Sequence, residues 1–501
     1  MLTPDFNEFK KKSKEGNLIP VYREILADLD TPLSAFLKLK GKTCFLLESV
    51  EGGEKWARYS FIGSNPSVII EGKGSSLTIK RGTKKEKVRI GNSGVSQFRD
   101  PLEVVSAELK KYKPVIIPGL PRFFGGFLGY IGYDTVRYFE KLPDNNHPGL
   151  NLPDIFLMLT DTLVVFDNLT HKIKVISNAH IEDSPEKAYE KAGKKIDNIV
   201  KKLRSKFVVP DRAASPQKGA ISKKIKFTSN FSKREFLNAV EKTKEYVKAG
   251  DVIQAVISQN FQRDTDIPPI NAYRALRVVN PSPYMYYIET GKSTIVGSSP
   301  EILVRVEGDS IELRPIAGTR KRGDTPEEDR FYEEELKADP KEVAEHIMLV
   351  DLGRNDTGRV AETGTVKVTE LMTVERYSHV MHLASNVVGK LGKKNNAFDV
   401  LRASFPAGTV TGAPKIRAME IIEELEPTKR GPYAGSVGYF DFSGNMDMCI
   451  TIRTIIFKNK KAYIQAGAGI VADSDPEKEY TETVNKAKGM FRAIEMAEKE
   501  L

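Results

Sequence analysis

The sequence predicts an α+β protein in which antiparallel sheets carry helices on their outer faces. Three observations lead there. Alternating apolar runs of strand length are frequent, and some are joined by tight turns, as in EILVRVEGDSIELRP about Gly308-Asp309. Amphipathic helical stretches occur too, but they do not alternate one for one with the strands, as a doubly wound parallel sheet requires. The 501 residues, 40% of them apolar, exceed one ordinary core and suffice for two or three domains.

In chain order, strands are expected at CFLLESV (44 to 50), RYSFIG (58 to 63) and SVIIEG (67 to 72). The run from 156 to 179 reads as one long hairpin turning at Asp167-Asn168. Helical spacing marks PLEVVSAELKKY (101 to 112) and the charged segment from Pro185 to Lys206. Residues 204 to 226 lose apolar periodicity and gain proline, serine and lysine, which is the composition of a linker. This cut gives an N-terminal region over 1 to 203 and a C-terminal domain over 227 to 501. The second part opens with a helix over 231 to 251, capped by Ser232 with Glu235 three residues on and ended by Gly250. Next come the strand VIQAVISQNF and the Gly308-Asp309 hairpin, then helices at 326 to 352 and 414 to 425. Two long strands, MCITIRTIIF (448 to 457) and AYIQAGAGIV (462 to 471), precede a final helix. GFLGYIGYD (126 to 134) and GSVGYFDFS (435 to 443) share Gly-x-x-Gly-Tyr, an echo that suggests matching strands.

Bulk properties exclude several function classes. No run of 18 apolar residues is present and the N-terminus lacks the apolar stretch of a secretory signal, so a cytoplasmic protein with no membrane role is expected. Cys44 and Cys449 each lie in an apolar run, the setting of buried reduced thiols. The net charge of +10 comes from scattered lysines without an aromatic-interleaved basic stripe, which argues against nucleic acid and suits an anionic small molecule.

Several constellations carry chemistry. Glu342 and Glu345 stand three residues apart on an expected helix, and Glu479 and Glu482 repeat the spacing, each pair following Asp-Pro. Carboxylates alone, with no cysteine–histidine spacing for zinc, suit magnesium, a hard cation that takes one or two protein oxygens and leaves positions open. GAGIVA (467 to 472) fits a dinucleotide fingerprint but continues as strand where that fingerprint requires a helix; Gly467 and Gly469 instead let backbone N–H groups approach a carboxylate. GTVTGAPK (408 to 415) lacks the ending of a phosphate loop, and Pro414 fits the first turn of a helix. Of six histidines, His379 and His382 share YSHVMHLAS, and His382 can move a proton near neutral pH.

Taken together, GSSPE, PIAGTR, EHIMLVDLGRND, YSHVMH, GAPK, CITIRT and QAGAGIVADSDPEKEY resemble the chorismate-utilising enzymes, and among them the chains that make anthranilate. The likeness spans nearly the whole chain and is strongest from about 230 to 490. It implies a sandwich of antiparallel sheets. It also implies one Mg²⁺ bound by residues matching Glu345 and Glu482, with Glu342 and Glu479 beside them, and substrate contacts at Gly318, Thr319, Tyr433, Arg453, Gly467, Ala468, Gly469 and Lys486. Glu301 matches the family's general acid for the departing C4 hydroxyl. His382 matches a histidine implicated in loss of pyruvate, and Thr319 stands with both among the catalytic positions.

Two positions bear on the nucleophile. Relatives that make aminodeoxychorismate carry a nucleophilic lysine where this chain has Ala317, and the isochorismate and salicylate synthases carry a lysine base where it has Gln254. Neither amine is present, so the resemblance implies free ammonia as nucleophile. Neither cysteine has the glycine-flanked setting of a glutaminase nucleophile, so a separate amidotransferase subunit is expected, in a two-plus-two heterotetramer. CFLLES and NPSPYM resemble the tryptophan-binding segments of feedback-inhibited members, which implies a pocket at Glu48, Ser49, Arg58, Pro283, Tyr284 and Met285. An aminodeoxychorismate synthase component and a catalytically inactive regulatory subunit are the competing readings.

Overall fold

The computed structural model describes residues 1–49, 58–91, 96–205, 227–377 and 380–501. Most of the expected linker, residues 206 to 226, and His379 therefore lie outside the described residues. Two twelve-stranded sheets with antiparallel pairing stack face to face, with helices outside, as the sequence predicts.

Each sheet is assembled from both sides of the 204 to 226 segment. In the first, Leu18–Leu26, Lys172–His180, Thr162–Asp167, Tyr59–Ser64 and Cys44–Glu48 continue into Tyr284–Glu289, Thr294–Ser299, Thr454–Lys458, Lys461–Ile470 and Gln254–Asp264. The join is the ladder between Cys44–Glu48 and Tyr284–Glu289. In the second, Ile316–Lys321, Val380–Lys390, Ser310–Leu313, Ile302–Glu307, Met446–Ile450 and Ser436–Asp441 meet Gly126–Ile131, followed by Ile155–Thr160, Val68–Lys73, Ser76–Arg81 and Lys84–Arg89. The two echoing segments are this second join: they pair antiparallel, with Gly129 opposite Gly438. Both glycines are required by close approach, because a Cβ would lie 2.0 Å from the Phe156 carbonyl at Gly129 and 2.0 Å from the Asp447 carbonyl at Gly438.

Strand periodicity sorts the core. Leu163 and Val165 face the layer between the sheets, whereas Val164 and Phe166 face helices on the outside of the first sheet. That outer layer is built from Pro32–Leu39, Pro185–Leu203, Pro269–Val279 and Pro476–Lys499.

Three expected elements divide. The run from 156 to 179 is three strands: Ile155–Thr160 belongs to the second sheet, and Thr162–Asp167 with Lys172–His180 forms a hairpin in the first. The crossing is at Asp161, which turns its carboxylate to Lys195 at 2.8 Å. MCITIRTIIF also crosses between sheets, as Met446–Ile450 and Thr454–Lys458, with Arg453 in the left-handed region at φ 52. The helix over 326 to 352 is two helices, Pro326–Ala338 and Pro340–Gly358, parted at Asp339, whose carboxylate caps the second through the N–H groups of Lys341 and Glu342. Pro414 sits just outside Lys415–Leu425 and is its N-cap residue. The Ser232–Glu235 capping box and the left-handed Gly250 are as expected.

Candidate active site

Arg453 owes its position to the sheet crossing. Its left-handed backbone interrupts the strand, and its Nη1 donates to the carbonyl of Lys486 at 3.2 Å. Among the described residues no carboxylate forms an ion pair with it, and burial is the largest influence on the guanidinium, lowering its pKa. A half-buried cation without an anion is a place for an anionic ligand.

Beside it runs Lys461–Ile470. This strand is paired to Gln254–Asp264 along its whole length, but Thr454–Lys458 covers its other edge only as far as Ile464. The backbone of Gly467, Ala468 and Gly469 is thus left uncovered on one side, and the Tyr433 hydroxyl hydrogen-bonds the Gly467 backbone. A side chain would crowd this edge: a Cβ on Gly467 would sit 2.9 Å from the Tyr433 hydroxyl and 3.0 Å from the Ile257 carbonyl, and one on Gly469 would be 2.4 Å from Gln254 Nε2 and would displace that amide. Lys486 donates to the Gly467 carbonyl at 3.1 Å and pairs with Glu482 at 2.7 Å.

The carboxylates come from two helices that both begin at Asp-Pro, Pro340–Gly358 and Pro476–Lys499. The carboxyl of Glu345 is raised above the usual range first by burial and then by Glu342, with a smaller contribution from Glu482 on the other helix. Burial, then Glu482, raises Glu479. Arg320 holds Glu342 at 3.1 Å, and Gln254 Nε2 lies 3.4 Å from Glu345 Oε1. Like-charged oxygens facing one another across two helices fit a hard divalent cation in chemistry. Among the described residues, no three Asp, Glu, His or Cys side chains enclose a metal position, so such a cation would need further oxygens from ligand or water.

The opposite wall is the PIAGTR strand, Ile316–Lys321, laid against Val380–Lys390. Ala317 lies within this short strand, paired with Leu383. The ladder breaks between Ala317 and Arg320, where Gly318 takes φ 68 and brings its Cα beside Glu342. His382 Nδ1 is 2.8 Å from the Gly318 carbonyl and 3.1 Å from the Thr319 hydroxyl. A carbonyl only accepts, so Nδ1 carries the proton and Nε2 keeps the lone pair of a base. Burial is the main cause that lowers the His382 pKa, and Arg453 adds to it, which keeps the ring neutral.

Glu301 ends the wall. It is 7% exposed, and burial pushes its carboxyl up to about 8 against the opposing influence of Thr409 and Lys486. A carboxyl still protonated at neutral pH is a proton donor. Behind it lies a cavity of about 40 Å³ bounded by Leu303, Leu349 and Thr409.

The substrate, acid, base and carboxylate positions expected from sequence are therefore linked to one another through contacts and electrostatic influence. The tryptophan set is arranged differently. Glu48 and Met285 are directly opposite in register on the helix side of the first sheet, where Glu48 accepts from the Tyr273 hydroxyl at 2.6 Å and pairs with Arg277 at 3.2 Å. Tyr284 points the other way, between the sheets, and donates to Asp447 at 2.8 Å. Arg58 pairs with Asp167 at 3.0 Å, Pro283 precedes the strand, and Ser49 adjoins residues outside those described. Sequence reasoning missed Arg320, Thr409 and the buried Arg430–Glu426 pair; only the motif position of Arg320 in PIAGTR hinted at any of them.

Comparison with known proteins agrees with this geometry. A family model described as chorismate binding enzyme matches residues 53–492. The chain belongs to that family. Within it, the chain is 51% identical to anthranilate synthase component 1 of Aquifex aeolicus and 49% identical to that of Acetivibrio thermocellus, each over 99% of both chains. Among solved structures, anthranilate synthase component I from Streptococcus pneumoniae superposes with a TM-score of 0.75 at 37% identity, covering 93% of this chain and 98% of that one. The menaquinone-specific isochorismate synthase MenF from Escherichia coli, at 20% identity and a TM-score of 0.67 over 97% of this chain and 98% of its own, shares the fold. No helix among the described residues is long and apolar enough to cross a membrane.

Proposed function

We propose that the chain converts chorismate and ammonia to anthranilate and pyruvate, the first committed step towards tryptophan. The observation that carries this reading is Glu301, a carboxyl pushed up to about 8 by burial, in a chain whose two positions matching a lysine nucleophile or base are Ala317 and Gln254.

Chorismate is a dianion. Arg453, Lys486 and the open backbone of Gly467 to Gly469 supply donors for one carboxylate, with Tyr433 beside them and Gly318 and Thr319 opposite. Glu345 and Glu482, with Glu342 and Glu479 adjacent, would hold Mg²⁺. When bound, the ion would offset substrate charge and orient the ring. Glu301 donates its proton to the C4 hydroxyl as that group leaves, while ammonia adds at C2. In the second step, Nε2 of His382 would exchange the ring proton as pyruvate departs, since Nδ1 holds its own proton against the Gly318 carbonyl.

Ammonia is mostly protonated at cellular pH, so delivery by a separate glutamine amidotransferase subunit is part of the proposal, as is a two-plus-two assembly. Feedback inhibition by tryptophan at Glu48, Ser49, Arg58, Pro283, Tyr284 and Met285 completes it; Glu48, paired with Arg277 and accepting from Tyr273, is the buried acidic group of that set. The test is incubation of the pure chain with chorismate, Mg²⁺ and ammonium at mildly alkaline pH. Anthranilate and pyruvate are expected in equal amounts; a para-substituted or hydroxylated product overturns the reading.

A further inference from the structure

The strand Gln254–Asp264 has an unusual second edge. One edge pairs with Lys461–Ile470 throughout, but the other meets Gly412–Ala413 only at Gln254 and Ala255, and Thr228–Ser229 only at Phe261 and Gln262. Between these short partners, main-chain groups of Val256 and Ser258 face an ion pair where a strand would run. Arg430 Nη2 donates to the Val256 carbonyl at 2.7 Å, and Glu426 Oε1 accepts from the Ser258 N–H at 2.8 Å and from its hydroxyl at 2.8 Å.

The pair itself is bidentate, Nε to Oε2 at 2.9 Å and Nη2 to Oε1 at 2.6 Å, with side chains 1% and 2% exposed. Arg430 has one further nitrogen, and Nη1 donates to the Val410 carbonyl at 2.6 Å, ending the short turn Gly408–Val410 that carries Thr409. The face of its guanidinium lies 5.5 Å from the Tyr433 ring centroid and 4.8 Å from that of Tyr133. One planar fork thus fixes three things at once: the strand bearing Gln254, the turn bearing Thr409 beside Glu301, and the ring of Tyr433. Ser258 in turn stands opposite Gly467 in the ladder, so the pair also sets the height of the glycine backbone.

Burying two charges is costly, and an apolar pair of similar volume often serves the fold equally well or better. An ion pair whose donors all go to the backs of site-forming segments points to a demand for geometry. From this arrangement we infer that Arg430, held by Glu426, is a positioning residue for the substrate cleft. It touches no reacting atom and acts through Tyr433, the Gly467 backbone and the Gly408–Val410 turn. Lysine cannot replace it, because a point ammonium lacks both the planar face and the fixed fork.

The inference rests on the chorismate reading, and its test is arranged to fail separately. Wild-type product is identified first with chorismate, Mg²⁺ and ammonium; a product other than anthranilate refutes the proposed function, while the KM comparison below still decides on Arg430. For Arg430→Lys, the KM for chorismate should rise by about tenfold or more, equivalent to about 1.4 kcal/mol, with the KM for ammonium unchanged. General destabilisation does not produce that split. In a Tyr433→Leu background the same substitution should have a smaller effect than in wild type, since part of its action passes through that ring. Glu426→Gln, which keeps the shape and the acceptor for Ser258, should show a weaker version of the KM shift. A folded Arg430→Lys chain with wild-type constants, or effects that simply multiply with Tyr433→Leu, overturns the positioning role. So does failure of both Arg430→Lys and Glu426→Gln to fold, which assigns the pair to the fold alone.

Discussion

His382 Nδ1 donates to the carbonyl of Gly318 at 2.8 Å, which ties the tautomer of the ring to a glycine in the left-handed region. The relation fixes which nitrogen carries the proton, while burial keeps the ring neutral and leaves Nε2 as the base. His382→Asn should lower turnover by about 10²–10⁴-fold, the usual contribution of a positioned acid or base. Because the proposed role falls in the second step, an aminated intermediate that still carries its enolpyruvyl group should build up, visible by mass. Unchanged steady-state anthranilate formation would remove His382 from the mechanism.

Glu301 gives a pH prediction with a definite sign. Its acid form is the active one, so turnover should fall as pH rises through about 8, with unit slope. The folded chain also holds this proton more tightly than the unfolded chain, whose glutamate titrates near 4.3. Stability from this group is therefore complete below about pH 4.3 and declines steadily as pH rises to about 8. Glu301→Gln should abolish turnover and flatten that decline, so that the variant melts higher than wild type at pH 8.5. A lower melting temperature there would contradict the assignment of a strained, buried carboxyl.

The glycines of the open strand edge allow a steric prediction. Gly467→Ala places a methyl group 3.0 Å from the Ile257 carbonyl, a backbone atom that cannot swing away. The expected cost is about 1–3 kcal/mol of stability, together with a raised KM for chorismate from the displaced Tyr433 hydroxyl. Gly250→Ala is the control, since a Cβ there meets nothing within 4 Å; it should cost stability through its φ of 84 and leave KM alone.

Much of this architecture is legible in the sequence, and the exceptions share a physical cause. The helix over 233 to 249 was marked at both ends by side-chain chemistry that acts locally, a Ser232–Glu235 box and a left-handed Gly250. The echoing Gly-x-x-Gly-Tyr segments foreshadowed a real pairing. By contrast, MCITIRTIIF reads as one strand-length run whose polar Arg453-Thr454 step is too slight a signal to announce a turn from one sheet to the other; stacking of the sheets imposes it. Asp339-Pro340 did carry a local signal, an N-cap followed by proline, which outweighs the helical stripe around it. Strand Lys367–Arg376 lies at the margin of its sheet and is largely exposed, so it lacks the apolar alternation by which strands are recognised. In the sequence Glu426 and Arg430 are two charged residues four apart with nothing to single them out. Their burial is decided by a gap in the pairing of Gln254–Asp264, which only the folded chain contains.

Gln254 offers the most demanding prediction, because it asks one side chain to decide which nucleophile is used. Its amide nitrogen lies 3.4 Å from Glu345 and packs against Gly469, so any residue placed there enters the cleft between the carboxylate helix and the open strand edge. An amide neither takes a proton from water nor carries charge, which leaves Glu345 free for a cation. Gln254→Lys should change both. The ammonium would pair with Glu345, so half-saturation by Mg²⁺ should move upward by about tenfold, in line with a coupling of about 1–2 kcal/mol for a partly buried charge pair. At pH high enough to free the amine, lysine becomes a base for water, and part of the product should shift from anthranilate to a hydroxylated isomer of chorismate. Product composition measured against pH and Mg²⁺ separates these effects. If the variant yields only anthranilate with wild-type dependence on Mg²⁺, then the amide at Gln254 sets neither the metal site nor the nucleophile.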